Sequence, residues 1–231
     1  MSSNKKIKKY IVLTGVLFLF PIALLLLFAK GSKHKFNTLP YLDEQGVHEI
    51  ALGASINWDT IHGLPDFRLT NHLGNTFTRD SLDGKIWLVA FFATDGEFVL
   101  DATKQLLWPN YRYREEKDIG ILCLTLNPTH DTPQVLNEYV TQNIKYNIAT
   151  DKWQFLTGDE GDIRSLMSDG FIQRDTSDNI ATFYLVDFDK HIRGRYNASL
   201  PDAMKDVVED IALLKKEHDI KAAAARNANG H

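Results

Sequence analysis

Two uninterrupted apolar runs constrain the fold more than any other feature of the sequence. Residues 86–93 (IWLVAFFA) and 119–126 (IGILCLTL) are eight residues each and carry no charge. A run of that length without alternation suits a strand buried on both faces, as in a parallel sheet covered by helices. Between them, residues 101–108 (DATKQLLW) predict a short helix that Pro109 ends or kinks.

The flanking segments add further elements. Residues 67–70 alternate as a strand should, and residues 71–75 (NHLGN) form a turn before a short strand at 76–78. Asp131 is placed to cap a helix that starts at Thr132-Pro133 and carries Val135, Leu136, Tyr139 and Val140. Residues 161–170 predict another short helix with Ile163, Leu166 and Met167 inward. Residues 182–186 and 192–196 read as a hairpin around the turn at 187–190. Met204, Val207, Val208, Ile211 and Leu214 share one face of a last helix beginning near Pro201. Strand, helix, strand, helix, hairpin and final helix is the order of a thioredoxin-like α/β sandwich with a central β-sheet flanked by helices.

The first thirty residues stand apart. Residues 10–29 (YIVLTGVLFLFPIALLLLFA) hold no charge and, as a helix, would cross a bilayer core of roughly 30 Å. The run is longer than the apolar region of a cleavable signal, and Lys30-Gly31-Ser32-Lys33 follows it in place of a small-residue cleavage site. Pro21 is expected to kink the span. Lysines 5, 6, 8 and 9 precede it and lysines 30, 33 and 35 follow it, a small bias, but residues 36–67 hold five acids and no Lys or Arg. The expected topology is therefore an N-terminus in the cytoplasm and a globular domain on the extracytoplasmic, periplasmic side. The expected division is 1–9 basic flank, 10–29 transmembrane helix, 30–61 stalk, 62–221 globular domain and 222–231 flexible tail. Residues 31–231 carry 21 basic and 30 acidic side chains, a net of −9, a poor electrostatic match for nucleic acid or for an anionic membrane face.

Six strings, in order and spacing, resemble the Sco/SenC family: LPDF (64–67), DGKIW (83–87), NPTHDTPQVLNEY (127–139), WQFLTGD (153–159), FYLVD (183–187) and IRGRY (192–196). The likeness runs from about residue 62 to 215 and includes the N-terminal anchor. It implies a membrane-tethered, thioredoxin-like copper chaperone for the binuclear copper site of cytochrome c oxidase. It also implies a metal site: two cysteines in a C-x-x-x-C at the start of the helix after the first long buried strand, and one distant histidine before FYLVD. Two thiolates and an imidazole suit copper. In this chain Gly96 and Leu100 stand at the cysteine positions and Asn179 at the histidine position. The chain is thus expected to be a degenerate member that lacks all three ligands and binds no copper as the family does.

Other residues are candidates to serve as substitutes. Asp95 and Glu97 flank Gly96, and with His130 they could hold a hard or borderline ion weakly. His130 otherwise reads as a solvated loop residue beside a helix cap. Cys123, the sole cysteine, lies mid-strand and reads as a small buried hydrophobe. A thiol-redox enzyme on this fold would need an exposed cysteine of low pKa at the strand-to-helix junction, where Asp95, Gly96, Glu97 and Leu100 stand instead; no enzymatic activity is expected. His48, His62 and His191 read as surface residues, Trp153 and Phe155 as core. Arg193 and Arg195 read as charges protecting an edge strand. The expected role is an accessory factor in oxidase assembly that works by contact with an oxidase subunit or an intact Sco-like protein.

Overall fold

A computed structural model describes residues 38–43, 46–48, 63–96, 99–144, 152–171, 182–200 and 202–228. The expected span at 10–29, most of the expected stalk, Glu97 and Asn179 lie outside the described residues. Among the described residues no helix is long and apolar enough to cross a membrane.

The two apolar runs become β5 (Ile86–Phe92) and β6 (Ile119–Thr125), buried at every position and paired in parallel from Ile86 with Ile119 to Phe92 with Thr125. Around them one mixed sheet is built from β1 (Tyr41–Asp43), β2 (Gly46–His48), β3 (Arg68–Asn71), β4 (Thr76–Thr78), β7 (Trp153–Thr157), β8 (Thr182–Val186) and β9 (Ile192–Asn197), in the order β2-β1-β9-β8-β5-β6-β7-β3-β4. Only β5, β6 and β7 run parallel; the remaining pairings are antiparallel.

Helices α1 (Val99–Arg112), α2 (Pro133–Asn143) and α4 (Ala203–Ala228) pack on one face, through Ala102, Leu106, Leu136, Val207 and Ile211 against Leu88, Ala90, Phe92 and Cys123. The short α3 (Glu160–Ser165), the π turn Leu166–Gly170 and the β3–β4 hairpin cover the other face over Trp87, Val89 and Phe91. Gly120 permits this packing, because a Cβ there would lie 2.4 Å from the Trp87 ring. The indole in turn donates to the Leu82 carbonyl at 3.0 Å. The arrangement is the α/β sandwich expected of the sequence, with helices on both sides of the parallel strands.

Four local expectations are corrected. The helix after β5 does not stop at Pro109 but carries it inside. Tyr113, just beyond its end, is buried and donates to the Val208 carbonyl on α4 at 2.8 Å, and such anchoring offsets the roughly 3 kcal/mol that an internal proline costs. Thr132, not Asp131, is the N-cap of α2, its hydroxyl accepting from Val135 N. Residues 222–228, expected in the tail, continue α4 through the helix-favouring alanines 222–225. Residues Tyr41–Asp43 and Gly46–His48, expected in the stalk, add two strands to the sheet, with Leu42 opposite Ile192 of β9.

Arg193 is the largest departure from expectation. It is no edge charge: only 2% of its side chain is exposed. Its guanidinium bonds Asp187 at 2.9 Å, Glu217 of α4 at 2.8 Å and the carbonyls of Leu39 and Pro40, and it lies 3.9 Å from the Tyr41 ring centroid. Glu217 also accepts from Leu39 N at 2.8 Å. The segment leading into β1 is thereby fastened to β9 and α4. His191, expected at the surface, is mostly buried beside this cluster, edge-on to Tyr41.

Candidate functional site

The carboxyl ends of β5 and β6 lie side by side, the edge at which α/β folds place their working loops. Leu126 N donates to Phe92 O at 2.6 Å, so the two strands leave the sheet together. The β5 chain then turns through Ala93–Gly96, with Gly96 N bonded to Ala93 O at 2.9 Å, and the β6 chain turns through residues 127–131.

Asp131 joins the two turns. Its side chain is fully buried and accepts from Thr94 N at 3.1 Å, from the Thr94 hydroxyl, from the Thr125 hydroxyl at 2.5 Å and from His130 Nδ1 at 2.9 Å. Because the carboxylate only accepts, His130 Nδ1 carries the proton and its Nε2 is the free acceptor of the neutral ring. The hydrogen bond to Asp131, helped by the charges of Asp131 and Asp95, holds the His130 pKa above its ordinary value. A second link ties the turns together, Asn127 Nδ2 donating to Asp95 Oδ2 at 3.1 Å.

Gly96 and Leu100 lie where the resemblance puts thiolates. Gly96 ends the β5 turn, and Leu100 sits in the first turn of α1 with an exposed side chain. Neither offers a donor atom. Cys123 does not substitute: it is 3% exposed, its sulfur accepts from Trp153 Nε1 at 3.3 Å, and burial pushes the thiol up to about 12. Of the other proposed ligands, Asp95 is exposed and bonded to Asn127, and His130 is half exposed and turned toward Asp131; Glu97 is outside the described residues. Among the described residues no three His, Cys, Asp or Glu side chains are placed to hold a metal ion. Among the described residues, then, the side chains at this junction do not make up a copper ligand set. A polar groove elsewhere, between Arg68, Arg79, Asp80 and Asp162, is rimmed by charges of both signs and does not reach this junction.

The family model described as SCO1/SenC matches residues 59–214, well over half of the chain. This chain belongs to the SCO1/SenC family. Its SCO1/SenC relatives include an SCO1 protein homolog of Bacillus subtilis (strain 168), 25% identical over 161 residues, which cover 63% of this chain and 79% of that protein. Among solved structures, BsSco, a member of the Sco family of cytochrome c oxidase assembly proteins, superposes with a TM-score of 0.56 at 23% identity, covering 66% of this chain and 93% of BsSco. A SCO1/SenC family lipoprotein from Bacillus anthracis str. Ames gives 0.54 at 23% identity, covering 66% and 95%. These likenesses establish the thioredoxin-like fold for this SCO1/SenC chain.

Sequence reasoning missed two features. The Thr94–Thr125–Asp131 network joins three segments, so no single string shows it; Asp131 stands in the NPTHDTPQVLNEY string but reads there as a helix cap. Arg193 was hidden by strand alternation, because Ile192 and Arg193 are both buried at a register shift opposite Leu185 and Val186.

Proposed function

We propose that this protein is a membrane-tethered accessory factor in assembly of the copper site of cytochrome c oxidase, acting by protein contact and not by carrying copper. Family membership supports the setting, and BsSco, of the Sco family of cytochrome c oxidase assembly proteins, supplies the oxidase. The single observation that carries the mode of action is the strand-to-helix junction: it has Gly96 and Leu100 where the resemblance puts cysteines, beside turns tied together by a buried, hydrogen-bonded Asp131. A junction so tied has no exposed thiol, which suits recognition and gives redox exchange nothing to work with.

In this reading residues 10–29 anchor the protein, residues 1–9 lie in the cytoplasm and the globular domain is extracytoplasmic. The lipoprotein relative from Bacillus anthracis supports attachment to a membrane. The partner is the oxidase subunit that receives copper, or a family member that retains its C-x-x-x-C. A photo-crosslinker placed at Asp95 or Thr129, on the rim of the junction, should give adducts with one of these two proteins in native membranes. Adducts with neither, from a chain that is folded and membrane-bound, would overturn the reading.

A further inference from the structure

Helix α1 is the middle helix of its layer. On one side the Thr103 and Tyr139 hydroxyls, on α1 and α2, meet at 2.8 Å; on the other Tyr113 docks on Val208 of α4. Its inner arc, Ala102, Leu106 and Pro109, is buried against the sheet. The outer arc of such a helix should be polar, and it is not. Leu100 is 47% exposed, Leu107 38%, Trp108 45% and Tyr111 67%, four of the seven exposed large hydrophobic residues among those described. At roughly 100° per residue these four and Lys104 fall within about a third of the helix circumference. The stripe runs the length of α1 with Lys104 inside it, paired to Asp101 at 3.1 Å, and Arg112 and Arg114 flank its far end, the Arg114 guanidinium 4.7 Å from the Tyr111 ring centroid.

The chain's own dimensions select the occupant. Eight residues, 30–37, separate the uncharged run from Thr38, a reach of at most about 28 Å. The chain is then pinned at Leu39 to Glu217 of α4. Glu217 lies nine residues along α4 from Val208, where Tyr113 docks, an axial distance of about 14 Å. The end of α1 is therefore within the tether's reach of the bilayer. Leucine, tryptophan and tyrosine together with lysine and arginine are the composition of a helix lying in a membrane interface. A second copy is the poorer occupant: one ridge of a 14-residue helix covers a few hundred Å², short of the roughly 800 Å² per partner of a stable dimer.

We propose that the outer face of α1, Leu100, Leu107, Trp108 and Tyr111, docks on the lipid surface to which the chain is tethered. The inference rests on the anchor assigned above and adds an orientation to it. Docked this way, the domain holds the Thr94–Gly96 turn, which leads into α1, at the height of the headgroups, within reach of an integral membrane partner.

The test uses the full chain reconstituted in phosphatidylcholine vesicles, plain or brominated near the headgroup. Trp108 emission is isolated as the difference between the parent and Trp108→Phe, which removes the signals of the other tryptophans. Docking predicts that this difference is quenched by brominated lipid and that Leu107→Asp weakens the quenching without shifting the thermal midpoint. An unquenched difference from a chain that resists alkaline extraction overturns the docking and leaves the anchor standing. Release of the chain by alkali overturns both. Emission that follows the protein-to-lipid ratio but ignores bromination assigns the stripe to a second copy and also overturns the proposal.

Discussion

Asp131 makes the junction a structural hub, and its neighbours give the means to check it. The hydrogen bond it accepts from His130 favours the charged imidazole, so His130 should titrate above an ordinary histidine in NMR spectra and fall back in Asp131→Asn. The sign follows from linkage. A histidine whose pKa is raised by folding contributes stability that is fully present below its unfolded pKa and is lost as pH rises through the folded value. His130 is half exposed, so the effect on unfolding is small and the titration itself is the better readout. Cys123 gives a complementary test. Burial holds the thiol far above neutral pH, so a thiol-alkylating reagent should modify it only in denaturant. Labelling of the folded chain at a rate near that of a free thiol would contradict the reading of this residue as a buried hydrophobe, which the sequence already suggested from its place mid-run.

At the scale of elements, the Arg193 cluster binds three of them: the segment before β1, the β8–β9 hairpin and α4. Replacing Arg193 by Met would leave Asp187 and Glu217 buried without their cation, and breaking one side of a buried ion pair costs about 3–5 kcal/mol. Urea denaturation should register that loss, and the Leu39 amide should lose its protection from hydrogen exchange. Within the cluster burial pushes the Asp187 carboxyl up, but the His191 hydrogen bonds and the Arg193 charge outweigh it and hold it below the ordinary range. A depressed carboxylate contributes stability above its unfolded pKa that is lost as pH falls through the folded value. Asp187→Asn should therefore flatten the acid limb of the stability curve. None of this was legible beforehand, because the partners lie 6 and 24 residues from Arg193 and more than 150 from it in the case of Leu39 and Pro40. Elements set by local pattern fared differently. The runs at β5 and β6 and the hairpin at β8 and β9 were readable, since both faces of the former are apolar and the latter has a turn at its centre. The limits of α1 were not, because Tyr113 packing, invisible locally, overrides Pro109.

For the whole molecule, the order of the elements was enough to indicate the fold, and the order and spacing of short strings to indicate the family. That Gly96, Leu100 and Asn179 stand at the family's ligand positions is a reading of residue identity alone, and the loss of copper binding it implies is the proposal made above. What the sequence did not carry was the use made of Asp131: its carboxylate ties together the turns that follow β5 and β6. The central claim is that a SCO1/SenC fold has been kept while its copper chemistry has been given up. The most direct measurement is an anaerobic Cu(I) titration of the full chain, in reducing conditions, against a chromophoric Cu(I) chelator, with His130→Ala alongside. The account predicts that the chelator keeps its copper and that the two proteins behave alike. Stoichiometric withdrawal of copper from the chelator by the parent chain would contradict it.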